Sequence, residues 1–372
     1  MRTCINGVCL FFVLGIVTCN TSIQKPTDPF KDLNTIYLQD EQVIVQYNDS
    51  IMGDPRSLLL QDSLAFCYDN LGETGYSLFN LKSGNLIKRF AYSGNQDHQF
   101  NINALSMSPI AGMNRKVLLF QENPPFRLFR YDIDSLRRIK NYEPPYIYQL
   151  PDNIFFDNLL MLNDSILVGK MGLSDFDHNF FAIFNRYRGK LITGVPLPNS
   201  TQRKYQKYYH KNVYSWTRAT FGGDLKARPG NPRQFAYFSS KGAYIQLFNI
   251  DKNQTFKSIY QHLYYPPLFQ VYRQSNQITY PVLLKDCLSG FNNITVTKDK
   301  IYALYNGKSA YDNDTQNLLA DQILVYSWTG QPIERIQLNQ PCYKIEIDPS
   351  DEKVLFCLRT FIEPSIVRYA LP

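Results

Sequence analysis

The sequence predicts an all-β fold, a six-bladed β-propeller of four-stranded blades, and three observations lead to this prediction. Of the 372 residues, 27 are Tyr and 25 are Phe, and such flat side chains favour strands over helices. Asn, Asp, Gly and Pro recur at short intervals, as they do in turns. The third observation is a repeated unit, whereas no segment beyond about residue 34 shows the apolar period of a helix.

The repeated unit contains three strands. An Asp/Asn turn is followed by an apolar strand, a variable hairpin, a second strand ending in an aromatic residue plus Asn or Asp, a turn and a third strand. The first copy starts at residue 61, later copies start at 114, 163, 231 and 298, and a partial copy starts at 351. The turns between the two outer strands begin at 79, 131, 184, 248 and 326, so the spacings are 52, 53, 64 and 78 residues. These spacings suit propeller blades of about 45 residues with insertions. We place the insertions at about residues 196–228 and 260–290.

The last repeat lacks an outer strand, and an N-terminal strand can supply it. The segment "TIYLQDEQVIVQY", residues 35–47, alternates polar and apolar residues and belongs to no repeat. Pairing it with the last blade would close the ring and remove an exposed sheet edge. Six blades fit the repeats best, and five or seven blades are the alternatives because the repeat boundaries are not sharp.

The first repeat resembles a known family. The segment "MGDPRSLLLQ", followed by "DSLAFCYDNLGETGYSLFNLKSGNLIKRFAYSGNQDHQFN", is similar to the TolB-like six-bladed propeller lipoproteins of Bacteroidetes. In that family a turn like Gly-x-Pro precedes "DSLL", a "FDLKTG" turn follows, and a Gly-rich segment ends the blade. The similarity covers about residues 34–372, but "YSGNQDHQF" has a single Gly in the Gly-rich segment. The resemblance implies a propeller fold and an envelope location, and it implies no catalytic residues.

Residues 1–19 are predicted to be a lipoprotein signal peptide. An apolar run of ten residues, 8–17, follows Arg2 and is too short to cross a bilayer. The "IVTC" that follows resembles a bacterial lipobox, although Thr18 stands where Gly, Ala or Ser is usual. We expect lipid attachment at Cys19, a flexible tether over residues 20–33 and a propeller over 34–372, anchored on the extracytoplasmic side of a bacterial envelope membrane. An ordinary secretion signal with an incidental Cys is the alternative.

The cysteines beyond the N-terminus are expected to be buried free thiols. Cys67, Cys287, Cys342 and Cys357 lie in apolar, strand-like runs, with no CxxC motif and no zinc-ligand spacing. Cys342 and Cys357 would lie diagonally on one face of a hairpin. A disulfide between them is allowed but not implied, because diagonal neighbours are usually too far apart.

Motifs for catalysis and metal binding are missing from the sequence. It has no sialidase Asp-box, no nucleophile elbow, no P-loop and no His-Glu-x-x-His, and its four histidines lack metal-ligand spacing. The segments "SDFDHN", residues 174–179, and "DND", residues 312–314, offer oxygen ligands, but both are interpreted as turns. We therefore predict no catalytic residue, no metal and no cofactor.

Residues 200–235 concentrate the positive charge of the chain. This window holds eight basic residues, Lys226 and Arg228 among them, and one acid, Asp224, while the whole chain has a net charge of +7. Cations interleaved with Tyr and Trp can stack on sugars or hold a carboxylate or phosphate. The residues predicted to bind an anion or a glycan are Arg203, Lys204, Lys207, Lys211, Trp216 and Arg218. A solvated basic loop is the alternative, and nucleic acid is not expected as the partner of an exported protein.

The function predicted from these patterns is a membrane-anchored, non-catalytic binding module for a glycan, a small anionic ligand or an envelope protein. One alternative is a glycan hydrolase or lyase whose residues come from several blades, and another is a protein–protein scaffold. Carboxylates converging at the tunnel mouth would favour the enzyme, and an extended aromatic patch would favour the scaffold. The segment "MGDPR", residues 52–56, is expected near the tunnel mouth as a turn rather than a ligand group.

Overall fold

The computed structural model describes most of the chain beyond residue 28. The described residues are 29–39, 41–46, 48, 50–69, 74–92, 94, 100, 105–109, 116–122, 126–152, 154–172, 179–196, 220–274, 278–311, 315–360 and 363–372. Six sheets of four or five strands form the blades of a β-propeller, which confirms the predicted fold class and blade number. The helical elements described include α1 (Ile133–Arg138) and a 3₁₀-helix (Thr315–Leu318).

The strands are short and follow one another along the chain. The first fourteen are β1 (Thr35–Leu38), β2 (Gln42–Val45), β3 (Ser57–Gln61), β4 (Leu64–Tyr68), β5 (Thr74–Asn80), β6 (Leu86–Tyr92), β7 (Leu105–Pro109), β8 (Val117–Glu122), β9 (Arg127–Asp132), β10 (Tyr146–Gln149), β11 (Phe156–Met161), β12 (Ile166–Met171), β13 (Asn179–Asn185) and β14 (Lys190–Pro196). The others are β15 (Gly223–Arg228), β16 (Asn231–Ser239), β17 (Ala243–Ile250), β18 (Phe256–Tyr265), β19 (Phe269–Gln274), β20 (Ile278–Leu283), β21 (Phe291–Val296), β22 (Lys300–Tyr305), β23 (Ala320–Ser327), β24 (Pro332–Cys342), β25 (Lys344–Asp348), β26 (Asp351–Arg359) and β27 (Ser365–Ala370).

Each blade is a meander of consecutive strands. Blades 1 to 5 contain β3–β6, β7–β10, β11–β14, β15–β18 and β21–β24, and blade 6 contains β25–β27 with β2. The innermost strand of each blade, called an inner strand below, is β3, β7, β11, β15, β21 or β25. The hairpin β19–β20 lies outside the blades, within the insertion predicted at about residues 260–290.

The other predicted insertion, at about residues 196–228, extends too far. Its last six residues form β15, the inner strand of blade 4. The charged residues of this segment give it the composition of a basic loop. They alternate with small or apolar residues, however, as in a strand with one polar face, and that face points to the centre of the propeller.

The core consists of six hydrophobic clusters, one at each interface between adjacent blades. Alternate residues of a strand pack against different neighbours, because successive side chains point to opposite faces of a sheet. On β4, Leu64 and Phe66 pack toward blade 2, whereas Ala65 and Cys67 pack toward blade 6. Both faces of each middle strand are therefore buried, which explains the apolar runs in the repeats.

The N-terminal segment closes the ring, as predicted, but only β2 does so by pairing with the last blade. β2 runs antiparallel to β27 as the outer strand of blade 6. β1 instead pairs in parallel with β24 and adds a fifth strand to blade 5. Phe30, in the segment predicted to be a flexible tether, is 2% exposed and packs between blades 4 and 5. The packed propeller therefore begins before residue 34.

A polar network fastens the closing strand. Arg359 Nη1 donates to Glu41 Oε1 at 3.1 Å, and the Tyr369 hydroxyl donates to Glu41 Oε2 at 2.8 Å. The bonds from Arg359 hold the pKa of the Glu41 carboxyl below its usual value. Glu41 is thus ionised at neutral pH and links the N-terminal segment to β26 and β27, the two middle strands of blade 6.

The four cysteines in the described part of the chain are all buried and free, as predicted. Cys342 and Cys357 lie in one hydrophobic cluster without a disulfide bond between them. Cys4, Cys9 and Cys19 lie outside the described residues. Among the described residues, no helix has the length and hydropathy needed to cross a membrane.

Candidate functional site

A tunnel runs through the centre of the propeller, and the inner strands form its wall. An upper cavity of about 270 Å³ lies toward the mouth at which the inner strands begin. A lower cavity of about 460 Å³ lies toward the mouth at which they end. Leu59, Leu160, Lys226 and Glu346 line both cavities and therefore mark the constriction between them, which we call the throat.

β15 presents charges to the tunnel because of its alternating sequence, "GDLKAR". Leu225 and Ala227 pack in the cluster between blades 3 and 4. Asp224 and Lys226 lie on the opposite face and line the upper cavity. Residues two apart on a strand are about 6.6 Å apart along its axis, so these two charges lie at successive levels of the tunnel.

β25 carries the same two charge types in the opposite order. Ile345 and Ile347 pack between blades 5 and 6. Lys344 and Glu346 line the upper cavity, and Glu346 also lines the lower one. The upper level therefore has Asp224 on blade 4 and Lys344 on blade 6, and the level below has Lys226 on blade 4 and Glu346 on blade 6.

At the lower of these two levels, the two charged side chains form an ion pair. Lys226 Nζ lies 2.7 Å from Glu346 Oε1, and the exposed fractions of the two side chains are 23% and 9%. The pair connects blades 4 and 6 across the inner strand of blade 5. Thr295, on that strand, donates its hydroxyl to Glu346 Oε2 at 2.9 Å. The throat thus has a bonded ion pair on the side of blades 4 and 6, and the side chains of Leu59 and Leu160 on blades 1 and 3.

Polar side chains of β21 join blade 5 to blade 6 at the same levels. Asn293 Nδ2 donates to the Ile345 carbonyl at 2.8 Å, and Asn293 Oδ1 accepts from the Ile345 N–H at 3.0 Å. The Thr295 hydroxyl accepts from the Ile347 N–H at 3.0 Å. These side chains satisfy backbone groups of the neighbouring inner strand, which would otherwise be buried without partners.

Burial and nearby charges shift the pKa values of Lys226 and Glu346. Burial raises the pKa of Glu346, and the ion pair with Lys226 offsets only part of the rise. Burial by itself lowers the pKa of Lys226, but the carboxylates of Glu346 and Asp224 outweigh it, so the net shift is upward. Asp224 contributes to the upward shift of both partners. Lys226 is therefore influenced by two carboxylates, one at its own level and one at the level above.

A second ion pair reaches the upper cavity from blade 3. Asp157 lines the cavity and binds the ammonium of Lys170, a lysine of β12 whose side chain is 0% exposed. The pairing of β11 with β12 shifts register between Phe156 and Asn158, and such bulges re-aim side chains. Asp157 and Asn158 consequently both line the upper cavity, and Asn158 Oδ1 has no hydrogen-bond partner.

The "MGDPR" turn lies at the upper mouth, as predicted. The Gly53 N–H donates to Asp69 at 2.7 Å, and the Thr360 hydroxyl donates to Asp54 at 2.9 Å. Arg56 lines the upper cavity, although we had interpreted the segment only as a turn. Its Nε lies 3.0 Å from Asp54 Oδ2.

The six residues predicted to bind an anion or glycan, Arg203, Lys204, Lys207, Lys211, Trp216 and Arg218, all fall in residues 197–219, outside the described residues. Their role stays a prediction. Two other basic residues of the same window are described. Arg228 donates to the Lys298 carbonyl at 2.7 Å, and Arg233 donates to the Asp251 carbonyl at 2.6 Å. These two arginines therefore join segments of the fold.

Most of the "SDFDHN" turn and all of the "DND" turn lie outside the described residues, at 173–178 and 312–314. In the described part of the chain, no group of three His, Cys, Asp or Glu side chains could hold a metal ion. The described residues that line the two cavities include no histidine and no cysteine.

Sequence reasoning did not identify the charged residues of the tunnel as site residues. They include Asp157, Asp224, Lys226, Lys344 and Glu346. The available signal was a charged residue at every second position of "GDLKAR" and "KIEID", the segments just before the repeats that start at 231 and 351. In a propeller such segments become inner strands, and their polar positions face the tunnel.

Comparisons with known proteins found one matching family model and several similar solved structures. A family model described as TolB-like 6-blade propeller-like matches residues 35–350. Similar solved structures include Raptor of Chaetomium thermophilum, with 11% identity, a TM-score of 0.47 and coverage of 90% of this chain and 29% of that chain. They also include a luciferin-regenerating enzyme, with 8% identity, a TM-score of 0.47 and coverage of 89% and 95%. No curated protein sequence matches this chain significantly.

Proposed function

The chain belongs to the TolB-like six-bladed propeller family, and we propose that it is a binding module that takes a small polar ligand into the upper cavity of its tunnel. The observation that carries this proposal is the meeting of charged side chains from blades 3, 4 and 6 in one cavity. A tunnel needed only for packing would be filled by apolar side chains, since each buried charge costs free energy.

Binding is favoured over catalysis because each carboxylate of the upper cavity already bonds within the fold. Asp157 binds Lys170, Asp224 accepts the Ile294 N–H at 3.2 Å, and Glu346 binds Lys226. Side chains held in this way present fixed charges to a ligand. They would have to exchange these bonds before they could transfer protons.

Glycan cleavage is the second candidate function, and one observation favours it. Asp157, Asp224 and Glu346 converge on one cavity, and burial raises the pKa of Glu346. A protonated carboxyl near an ionised one is the arrangement used for general acid catalysis of glycoside hydrolysis. The scaffold alternative lacks such support, because the exposed large apolar residues in the described part of the chain are spread over outer strands and loops of different blades.

Calorimetric titration of the fragment 20–372 with amino acids, short peptides, sugars, sugar acids and phosphorylated metabolites tests this proposal. We expect one class to bind. Lys344→Gln is expected to weaken that binding at least tenfold, because it removes a cation that lines the upper cavity. Lys300→Gln is the matched control, since Lys300 pairs with Glu334 at 3.1 Å in blade 5, away from the cavity.

Two outcomes would contradict the tunnel as a binding site. One is that no class binds, and the other is that Lys344→Gln and Lys300→Gln weaken binding equally. Analysis of the ligand after incubation separates binding from catalysis. Release of products that Glu346→Gln abolishes would establish the glycan-cleaving alternative.

The location of the protein is part of the same proposal. We propose that the propeller is lipid-anchored through Cys19 on the extracytoplasmic side of a bacterial envelope membrane. The family match supports this together with the lipobox-like "IVTC".

Mass spectrometry of the N-terminal peptide tests the anchor. We expect acylated Cys19 as the first residue of the mature full-length protein, found in the membrane fraction. Cys19→Ser should move the protein to the soluble fraction, whereas Cys9→Ser, a cysteine of the cleaved signal, should leave it at the membrane. An unmodified Cys19, or cleavage at another residue, would disprove the anchor.

A further inference from the structure

We infer that the ligand of the upper cavity is a zwitterion, an α-amino acid or a short peptide, whose ammonium binds Asp224 and whose carboxylate binds Lys344. This inference rests on the proposed function, because it takes the upper cavity to be the ligand site.

The geometry that carries the inference is an open pair of opposite charges. Lys226 and Glu346 face each other across blade 5 and are bonded at 2.7 Å. One level up, Asp224 and Lys344 lie on the same two inner strands with the charges exchanged. Both line the upper cavity, but no ion pair within 4.0 Å joins them. The upper level thus lacks an ion pair like the one between Lys226 and Glu346 at the level below.

Each member of the open pair makes one hydrogen bond to the backbone, and the Lys344 ammonium also lies 5.5 Å from the centre of the Tyr343 ring. Asp224 accepts one backbone N–H, that of Ile294, at 3.2 Å. Lys344 donates to the Asn292 carbonyl at 3.0 Å. Neither bond neutralises the charge, and a carboxylate and an ammonium have further acceptor and donor capacity. A ligand that carries both opposite charges can use this capacity on both sides at once.

The charge balance of the cavity favours a ligand with no net charge. Asp157 is neutralised by Lys170, and Glu346 by Lys226. Arg56, which also lines the cavity, pairs with Asp54. That leaves Asp224 and Lys344, one of each sign. An isolated anion such as phosphate would satisfy Lys344 but would lie near an unpaired carboxylate, and an isolated cation would meet the opposite problem. A neutral sugar would form hydrogen bonds to both groups but would supply neither with an opposite charge.

The size of the cavity sets an upper limit on the ligand. Its volume of about 270 Å³ is below the range of about 300–1,000 Å³ that is typical of pockets for drug-sized molecules. Leu59, Leu160, Lys226 and Glu346 mark its boundary with the lower cavity. A single amino acid or a short peptide is of suitable size, whereas a long oligosaccharide is not.

The experiment compares an amino acid with its two singly blocked analogues on the fragment 20–372. The twenty L-α-amino acids and a set of dipeptides are titrated first. The ligand found is then tested as its N-acetyl derivative, which has no ammonium, and as its amide, which has no carboxylate. We expect each analogue to bind at least tenfold more weakly than the parent, since a bond between charged groups contributes about 1.4 kcal/mol or more.

Two substitutions assign the charges. Asp224→Asn keeps an oxygen that can accept the Ile294 N–H, so the fold is expected to persist. Asp224→Asn should weaken binding of the parent ligand at least tenfold but leave the affinity of the N-acetyl derivative unchanged. Lys344→Gln should weaken the parent and leave the affinity of the amide unchanged. Lys300→Gln serves again as the control.

The outcomes separate this inference from the proposed function. The fragment could instead bind a sugar acid, a sugar or a phosphate, and Lys344→Gln could weaken that binding. This result would overturn the inference of a zwitterionic ligand but would leave the tunnel as the binding site. Analogues that bind as tightly as the parent would also overturn it, as would substitutions that affect parent and analogues equally. If no ligand of any class binds, both proposals fail.

Discussion

Asp157→Ala is expected to lower the free energy of unfolding by about 3–5 kcal/mol, because it leaves a buried ammonium without its partner. The side chain of Lys170 is 0% exposed, and among the described residues Asp157 is the carboxylate that binds it. The Lys170 ammonium also lies 5.6 Å from the centre of the Phe180 ring. A cation–π contact replaces only part of the hydration that a buried ammonium has lost.

The partner substitution is expected to cost much less. Lys170→Met keeps most of the buried volume and removes the charge that needs a partner, so we expect a loss below about 2 kcal/mol. The carboxylate that remains is 31% exposed, and it faces the upper cavity, where water can solvate it. The double variant should be more stable than Asp157→Ala alone. Breaking the same contact from its two sides thus has unequal costs.

Urea unfolding of the fragment 20–372 measures all three variants. The dependence of the unfolding free energy on urea concentration should stay constant, so that shifts in the midpoint report stability. Equal losses for the two single variants would show that Lys170 is hydrated, which would contradict its burial. A double variant less stable than either single one would show that the pair is needed for packing.

The outer parts of the blades could be predicted from the sequence because their pattern is local. Three strands of each blade are joined by short turns rich in Asn, Asp and Gly, and their middle strands are buried on both faces. The apolar runs of β4, β12 and β22 therefore recur in the sequence at blade spacing. The number of blades and the closure by an N-terminal strand follow from counting these runs.

The inner strands could not be recognised in the same way, and the candidate site was missed with them. In β15, Asp224, Lys226 and Arg228 alternate with small or apolar residues and follow a basic segment, so the strand was included in an insertion. Polar side chains that face the tunnel become favourable only when residues of other blades form hydrogen bonds or ion pairs with them. Glu346, the partner of Lys226, is 120 residues away along the chain. No local window of sequence contains that information.

The path of the N-terminal segment shows the same limit. The alternation in residues 35–47 predicted one closing strand, but the segment forms two, which pair with different blades and in different orientations. The parallel pairing of β1 with β24 depends on an outer edge that exists only after blade 5 has formed. The burial of Phe30 likewise depends on a gap between two finished blades.

Phe30→Ala is expected to lower the free energy of unfolding by about 3–5 kcal/mol, the usual cost of truncating a buried Phe. The ring is 2% exposed, and its centre lies 4.6 Å from that of Tyr264 and 5.1 Å from that of Tyr305. Both contacts are edge-on, a geometry that adds to the free energy of burial. The substitution would leave a cavity between blades 4 and 5 that their strands cannot close without moving.

Tyr37→Ala is the matched control, because it removes an aromatic ring from the same N-terminal segment. Tyr37 lies on β1 and is 69% exposed, so we expect a change within about 0.5 kcal/mol in the same urea experiment. Similar small effects of both substitutions would mean that the segment is held by β1 and β2 alone. A large loss confined to Phe30→Ala would show that the ring locks two blades together. Since Phe30 lies eleven residues after Cys19, it would also show that the link to the proposed lipid anchor is short and ends in the core of the propeller.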